Sequence, residues 1–123
     1  MIDRANCFML RCLAMRADMI YVFWSCRDKT EAKKIIHQLL DQRLIACASI
    51  FPEVESIYRW QGKVEESKEV KVILKTDSKH FDAIQGTIKA QCSYEVPEIV
   101  QVDINRGNSR YLSWITEECN LNH

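Results

Sequence analysis

The chain has 123 residues, a length suited to a single domain, with 47% hydrophobic and 28% charged residues. Seventeen Lys and Arg balance seventeen Asp and Glu, so the formal net charge is zero. A protein that binds through phosphate contacts carries a basic excess, and none is present; the weak overall repulsion leaves self-association open.

Residues 1–18 come first. Cys7-Phe8-Met9-Leu10 is apolar, but Arg11 interrupts the run after four residues. A secretory signal needs a longer apolar stretch. Residues 1–18 are expected to be a flexible N-terminal extension, and the folded domain is expected over 19–120. Nowhere does an apolar run approach the roughly 18 residues of a membrane-crossing helix.

Ile20-Tyr21-Val22-Phe23-Trp24 is a continuous apolar run of strand length, a pattern expected of a strand buried on both faces. Asp28-Lys29-Thr30-Glu31 then reads as a capping box. The helix it opens has one apolar stripe: Ala32, Ile35, Ile36, Leu39, Leu40 and Leu44 recur at steps of three and four.

From Ile45 to Thr76 the pattern is that of a long hairpin. Val54, Ser56, Tyr58 and Trp60 alternate with Glu55, Ile57 and Arg59. Pro52 cannot donate to a ladder and marks an edge or a bulge. Gln61-Gly62 is a two-residue turn, because glycine accepts a positive φ. The returning arm places Val70, Val72 and Leu74 on one face and Lys71, Ile73 and Lys75 on the other.

A second helix is expected from Asp77 or Ser78, with Phe81, Ile84 and Ile88 as its stripe. Pro97 forces Val96 into an extended conformation, so Tyr94 to Pro97 is a loop. Val100, Val102 and Ile104 alternate as a fourth strand. Asn105-Arg106-Gly107-Asn108 is a turn, and Ser109 is expected to cap a last helix carrying Leu112, Ile115 and Cys119.

The order βαββαβ, followed by a helix, predicts an α/β (α+β) fold: a ferredoxin-like sandwich with a long second-to-third-strand hairpin and an added C-terminal helix. Its helices cover one sheet face and leave the other open. The six cysteines, Cys7, Cys12, Cys26, Cys47, Cys92 and Cys119, contain no CxxC pair, so no clustered zinc site is expected. The helix and strand patterns supply a core without disulfide staples.

Three classes of function use such a fold, and the fold does not choose between them. An RRM-like RNA-binding module needs aromatic residues on its third strand, where this chain has Glu69-Val70-Lys71-Val72-Ile73-Leu74-Lys75. A small enzyme acting on an anionic substrate at a subunit cleft needs a phosphate nest or an activated nucleophile. Ser25-Cys26-Arg27-Asp28 lacks the glycines of a nest. Cys26 sits where a helix N-terminus can depress a thiol, but no histidine lies nearby in sequence to act as base. The third class is an oligomeric binding module, which gives an open face and long hairpin arms a purpose.

The chain resembles the CutA family of divalent-cation tolerance proteins. The resemblance runs from Ile20 to Glu118. It is carried by Leu44-Ile45-Ala46-Cys47-Ala48, Pro52, Ser56-Ile57-Tyr58-Arg59-Trp60-Gln61-Gly62-Lys63, Glu69 and Leu74-Lys75-Thr76. Tyr94-Glu95-Val96-Pro97-Glu98-Ile99 and Tyr111-Leu112-Ser113-Trp114-Ile115 complete it. It implies a PII-like homotrimer in the cytoplasm, linked to tolerance of divalent metals such as copper, with a metal- or ligand-binding or signal-transduction role. It implies no catalytic residue, no required cofactor, and neither nucleic acid nor membrane as partner.

The resemblance also implies an intersubunit ligand cleft, for which Trp60, Lys63, Glu69, Lys75, Tyr94 and Glu98 are the candidates. Tyr58, Trp60 and Trp114 are the candidate trimer contacts. Some members carry a Cys late in the first strand, where this chain has Trp24, and His residues where it has Gln91-Cys92-Ser93. Only Cys92 remains as a candidate copper ligand.

Overall fold

The computed structural model describes residues 18–119. The extension expected over 1–18 therefore lies, but for Asp18, outside the described residues. Four strands form one sheet: β1 (Met19–Cys26), β2 (Cys47–Trp60), β3 (Lys63–Asp77) and β4 (Ile99–Asp103). They lie in the order β2-β3-β1-β4, with every neighbouring pair antiparallel. The helices are α1 (Lys29–Asp41), α2 (Phe81–Gln91) and α3 (Ser109–Glu118). This is the expected ferredoxin-like sandwich with its added helix.

Pleating puts alternate side chains of β1 on opposite faces. Ile20, Val22, Trp24 and Cys26 face the helices with no exposed surface. Tyr21 and Phe23, on the other face, are only half-buried. The expectation of burial on both faces therefore fails for that side, because no helix covers it. Opposite them on β3, Leu74, Val72 and Val70 join the helix-side core, where Ala32, Ile35 and Leu39 of α1 and Ile84 and Ile88 of α2 meet them.

Asp28 caps α1 as expected, its Oδ1 accepting from the Glu31 amide at 2.8 Å. The second half of the capping box does not form. The Glu31 carboxylate instead accepts from the Ser93 amide at 3.3 Å and from the Cys92 thiol at 3.5 Å. It ties the chain leaving α2 to the start of α1. The end of α1 is closed by amide bonds from Arg43 to Leu40 and from Leu44 to Leu39, with Arg43 at φ 60°. This is the left-handed cap that usually takes glycine. Arg43 also meets Glu118 at 3.1 Å, linking α1 to the end of α3.

The second helix begins later than its sequence pattern suggests. Asp77 Oδ1 accepts from the Lys79 amide and opens one tight turn, Ser78–His80, before α2 proper. The cap of α3 is Asn108 rather than Ser109; its Oδ1 accepts from the Arg110 and Tyr111 amides. α3 packs at the far end of the sheet, where Ile115 and Cys119 bury against Met19 and Ala46.

The hairpin turns at Gln61 (φ 51°) and Gly62 (φ 81°), the paired positive angles of a two-residue turn that matches strand twist. β2 is irregular between Phe51 and Val54: Phe51 faces Lys71 and Val54 faces Glu69, so three steps on β2 match two on β3. This is a β-bulge at Pro52-Glu53, on an edge strand. It reverses the face of everything beyond it. Ala48 and Ile50, opposite Leu74 and Val72, share the helix side. Ser56 and Tyr58, also even-numbered, lie opposite Ser67 and Glu65 on the open side.

Candidate functional site

The bulge is what assembles the site. It puts Ser56, Tyr58 and Trp60 on the face that carries Glu69 and Lys71. The loop after α2 completes the enclosure. It passes the end of β1, where the Ser25 amide bonds to the Glu98 carbonyl at 3.2 Å. A cavity of about 600 Å³ lies between loop and hairpin. Tyr58, Trp60, Tyr94 and Val96 supply its apolar walls, and Glu69, Glu95 and Glu98 its charges. Three serines, Ser25, Ser56 and Ser67, line the remainder.

Each carboxylate has a different setting. The Glu69 Oε2 accepts from the Ser56 hydroxyl at 2.7 Å, and its Oε1 from the Tyr94 hydroxyl at 3.1 Å. Glu98 Oε1 accepts from the Ser25 hydroxyl at 2.8 Å and pairs with Lys71 Nζ at 2.8 Å. Burial pushes the Glu98 carboxyl upward, but Lys71 and Ser25 outweigh it and hold the group below the usual range. Glu95 is exposed at the mouth. Burial, reinforced by Glu69, pushes the Tyr94 hydroxyl up to about 12, so it remains a donor.

Of the six residues expected in a cleft, Trp60, Glu69, Tyr94 and Glu98 line this cavity. Lys63 and Lys75 do not. Lys63 sits opposite Trp60 at the exposed hairpin tip. Lys75 is six residues along β3 from Glu69, about 20 Å at roughly 3.4 Å per residue. Its Nζ donates to the Ser49 hydroxyl at 2.6 Å and lies 5.8 Å from the centre of the Tyr21 ring. Tyr58 belongs to the cavity wall, and Trp114 stacks on Tyr111 at 5.9 Å on α3. The sequence reading did not single out Ser25, Ser56 or Ser67. Ser56 could have been found from its alternation with Tyr58 and Trp60; the other two carried no signal.

The residues around Cys92 do not fit a copper site. Among the described residues no group of three or more His, Cys, Asp or Glu is arranged to hold a metal ion. Burial raises the Cys92 thiol, so it resists forming the thiolate that copper requires. Cys26 is fully buried, and burial together with Glu31 and Cys92 pushes it up to about 12. This corrects the expectation that the helix N-terminus could activate it. Trp24 Nε1 is buried close enough to favour a Cys92 thiolate, yet it makes no hydrogen bond of ordinary geometry. The four described cysteines, Cys26, Cys47, Cys92 and Cys119, are free thiols.

An open-faced ferredoxin-like sandwich with a cavity at its hairpin defines the class of fold. Residues 20–118 match the model of the CutA1 divalent ion tolerance protein family, and the chain belongs to that family. It is 41% identical over 100 residues to the divalent-cation tolerance protein CutA of Pyrococcus horikoshii, covering 81% of this chain and 97% of that one. Its structure is similar to that of CutA1 from Oryza sativa, with a TM-score of 0.81 at 32% identity, covering 87% of this chain and 98% of the other. It is also similar to the periplasmic divalent cation tolerance protein CutA of Archaeoglobus fulgidus, with a TM-score of 0.80 at 33% identity, covering 83% and 99%.

This is a family of divalent-ion tolerance proteins, and neither the RNA-binding nor the enzymatic alternative finds support in it. The expected cytoplasmic location is withdrawn, because the Archaeoglobus relative is a periplasmic protein. No described helix is long and apolar enough to cross a membrane.

Proposed function

We propose that this chain works as a homotrimer in the response to divalent ions, as a ligand-responsive module with no chemical step of its own. The observation that carries this reading is the apolar surface of the open face and hairpin. Phe51, Tyr58, Trp60, Val100 and Val102 are between 43% and 48% exposed. Monomeric proteins rarely leave so many large apolar groups together in water, and a closed ring of subunits buries them. β2 and β4 are also unpaired edges among the described residues, which such an assembly pairs or covers. Three copies is the number that the family resemblance implies.

In this reading Tyr58, Trp60 and Trp114 anchor neighbouring subunits. The cavity around Trp60, Glu69, Tyr94 and Glu98 becomes an intersubunit cleft whose occupancy is the signal. Lys63 and Lys75 enter it only if a neighbouring copy brings them there. A resident copper ion at Cys92 is not part of this reading.

Sedimentation equilibrium tests the assembly. The expected mass is three times that of the chain, and Trp60→Ala should lower it; a wild-type monomer at micromolar concentration would sink the reading. In a host lacking its own family member, the wild type should restore growth on copper salts and Trp60→Ala should not. Copper titration of wild type and Cys92→Ser should give the same affinity.

A further inference from the structure

We infer that the cleft selects an organic cation, an alkylammonium group on a short aliphatic chain, held between the aromatic walls with its nitrogen on Glu69. This rests on the reading of the cavity as a ligand site, and it names the class of ligand.

The charges in the cavity are unbalanced in one direction. Glu69, Glu95 and Glu98 line it, and among the described residues no Lys, Arg or His does. Lys71 offsets Glu98 from outside the lining, at 2.8 Å. Glu69 has no ion-pair partner among the described residues; it is held only by the Ser56 and Tyr94 hydroxyls. Two neutral donors orient this carboxylate without cancelling its charge. That leaves a fixed, half-buried anion with spare acceptor capacity on the wall of an open cavity.

Three ligand classes can be compared with this lining. A phosphorylated or carboxylated ligand would meet Glu69 and Glu95 without ion-pair partners among the described residues, while Lys71 is already taken by Glu98, so repulsion disfavours it. A bare divalent cation needs several oxygen ligands converging on one point. No described group of three acidic, Cys or His side chains converges in that way. Aromatic walls also contribute little to a strongly hydrated ion. An alkylammonium uses both halves of the lining. Its charge is attracted by the faces of Tyr58, Trp60 and Tyr94 and bonds to Glu69, while its methylenes lie against the rings and Val96. The Tyr94 hydroxyl, protonated up to about 12, does not compete for the cation as an anion of its own.

Isothermal titration of the full chain with 1,4-diaminobutane tests this, with glutarate as a dianion of similar length. The diamine should bind and glutarate should not. Glu69→Gln keeps the side-chain shape and should weaken the diamine about tenfold or more, as loss of a charge-assisted bond does. Binding should also weaken with added salt. Tyr94→Leu is a second variant, expected to lose affinity by removing a ring from the cavity wall; far-UV circular dichroism confirms that both variants are folded. No heat with the diamine, equal affinity in Glu69→Gln, or tighter binding of glutarate would overturn the inference. Sedimentation on the same samples separates the two readings. A trimer that binds no diamine defeats the ammonium assignment and leaves the assembly standing, with a side chain of a second copy as the occupant. A monomer that binds it does the reverse.

Discussion

The Tyr94 hydroxyl donates to Glu69 across 3.1 Å, joining the loop after α2 to the middle of β3. The bond spans 25 residues of sequence and closes one side of the cavity. Burial and then Glu69 raise the Tyr94 hydroxyl to about 12. Its folded value therefore exceeds the ordinary phenol value near 10. Between those values the native state holds a proton that the unfolded chain has lost, so stability is complete below about 10 and falls as pH rises toward 12. Thermal melts across this range should show the loss. Tyr94→Phe should flatten that part of the profile; an unchanged profile in the variant would show that other groups cause it.

The acid side depends on Glu98. Lys71 and Ser25 hold its carboxyl below 4.5 against the upward push of burial. A depressed carboxyl contributes stability above its unfolded value, and that contribution disappears as pH falls through the folded value. Lys71→Met should destabilise the protein at neutral pH and make less difference at pH values below the Glu98 titration. Both side chains are about one-third exposed, at 31% and 36%, so water screens the effect and it should be small. Parallel urea curves at the two pH values measure it, and an equal loss at both would contradict the pairing.

Deleting Glu53 should remove the bulge and leave the pairing on either side intact, because Phe51 opposite Lys71 and Val54 opposite Glu69 would then lie two steps apart on both strands. Tyr58 and Trp60 should stay on the face of Glu69, and nuclear Overhauser contacts between the Tyr94 ring and Ser56 or Tyr58 should persist. Loss of those contacts in the deletion variant would mean that the register of β2 on β3 had slipped instead. Ser56→Ala is the change that removes the bond to Glu69, leaving a half-buried carboxylate short of a donor, a cost of about 1–3 kcal/mol.

α3 is held by few buried groups, chiefly Ile115 at 0% exposure and Cys119 at 1%. Ile115→Ala should cost about 2–5 kcal/mol, the range for such a core truncation. The loss should concentrate in the last helix. Hydrogen exchange of the α3 amides should quicken more than that of β1, and uniform quickening would mean that α3 does not open as a separate unit.

Much of the architecture was legible in the sequence, because local pattern carries it. The apolar stripe of α1, the turn at Gln61-Gly62 and the alternation of β3 each follow from the geometry of one segment. The errors came where a side chain chose a distant partner. Glu31 has the spacing of a capping box, yet it binds Ser93 and Cys92 from the far side of α2. Cys26 sits at a helix start, yet burial and Glu31 raise its thiol instead of lowering it. Lys75 belongs to the same strand as Glu69, yet it lies about 20 Å along it, outside the cavity of its own copy.

By itself, then, the sequence determined the order of elements, the fold they make and the family they belong to. It also named Trp60, Glu69, Tyr94 and Glu98, with no indication of how they meet. Tertiary structure decided that meeting. Alternation along a strand defines two faces without saying which one turns toward the helices. On β2 the answer changes at Pro52-Glu53, and only pairing with β3 shows where the count resets. That reset moves Tyr58 and Trp60 to the side of Glu69, where the loop carrying Tyr94 and Glu98 closes over them.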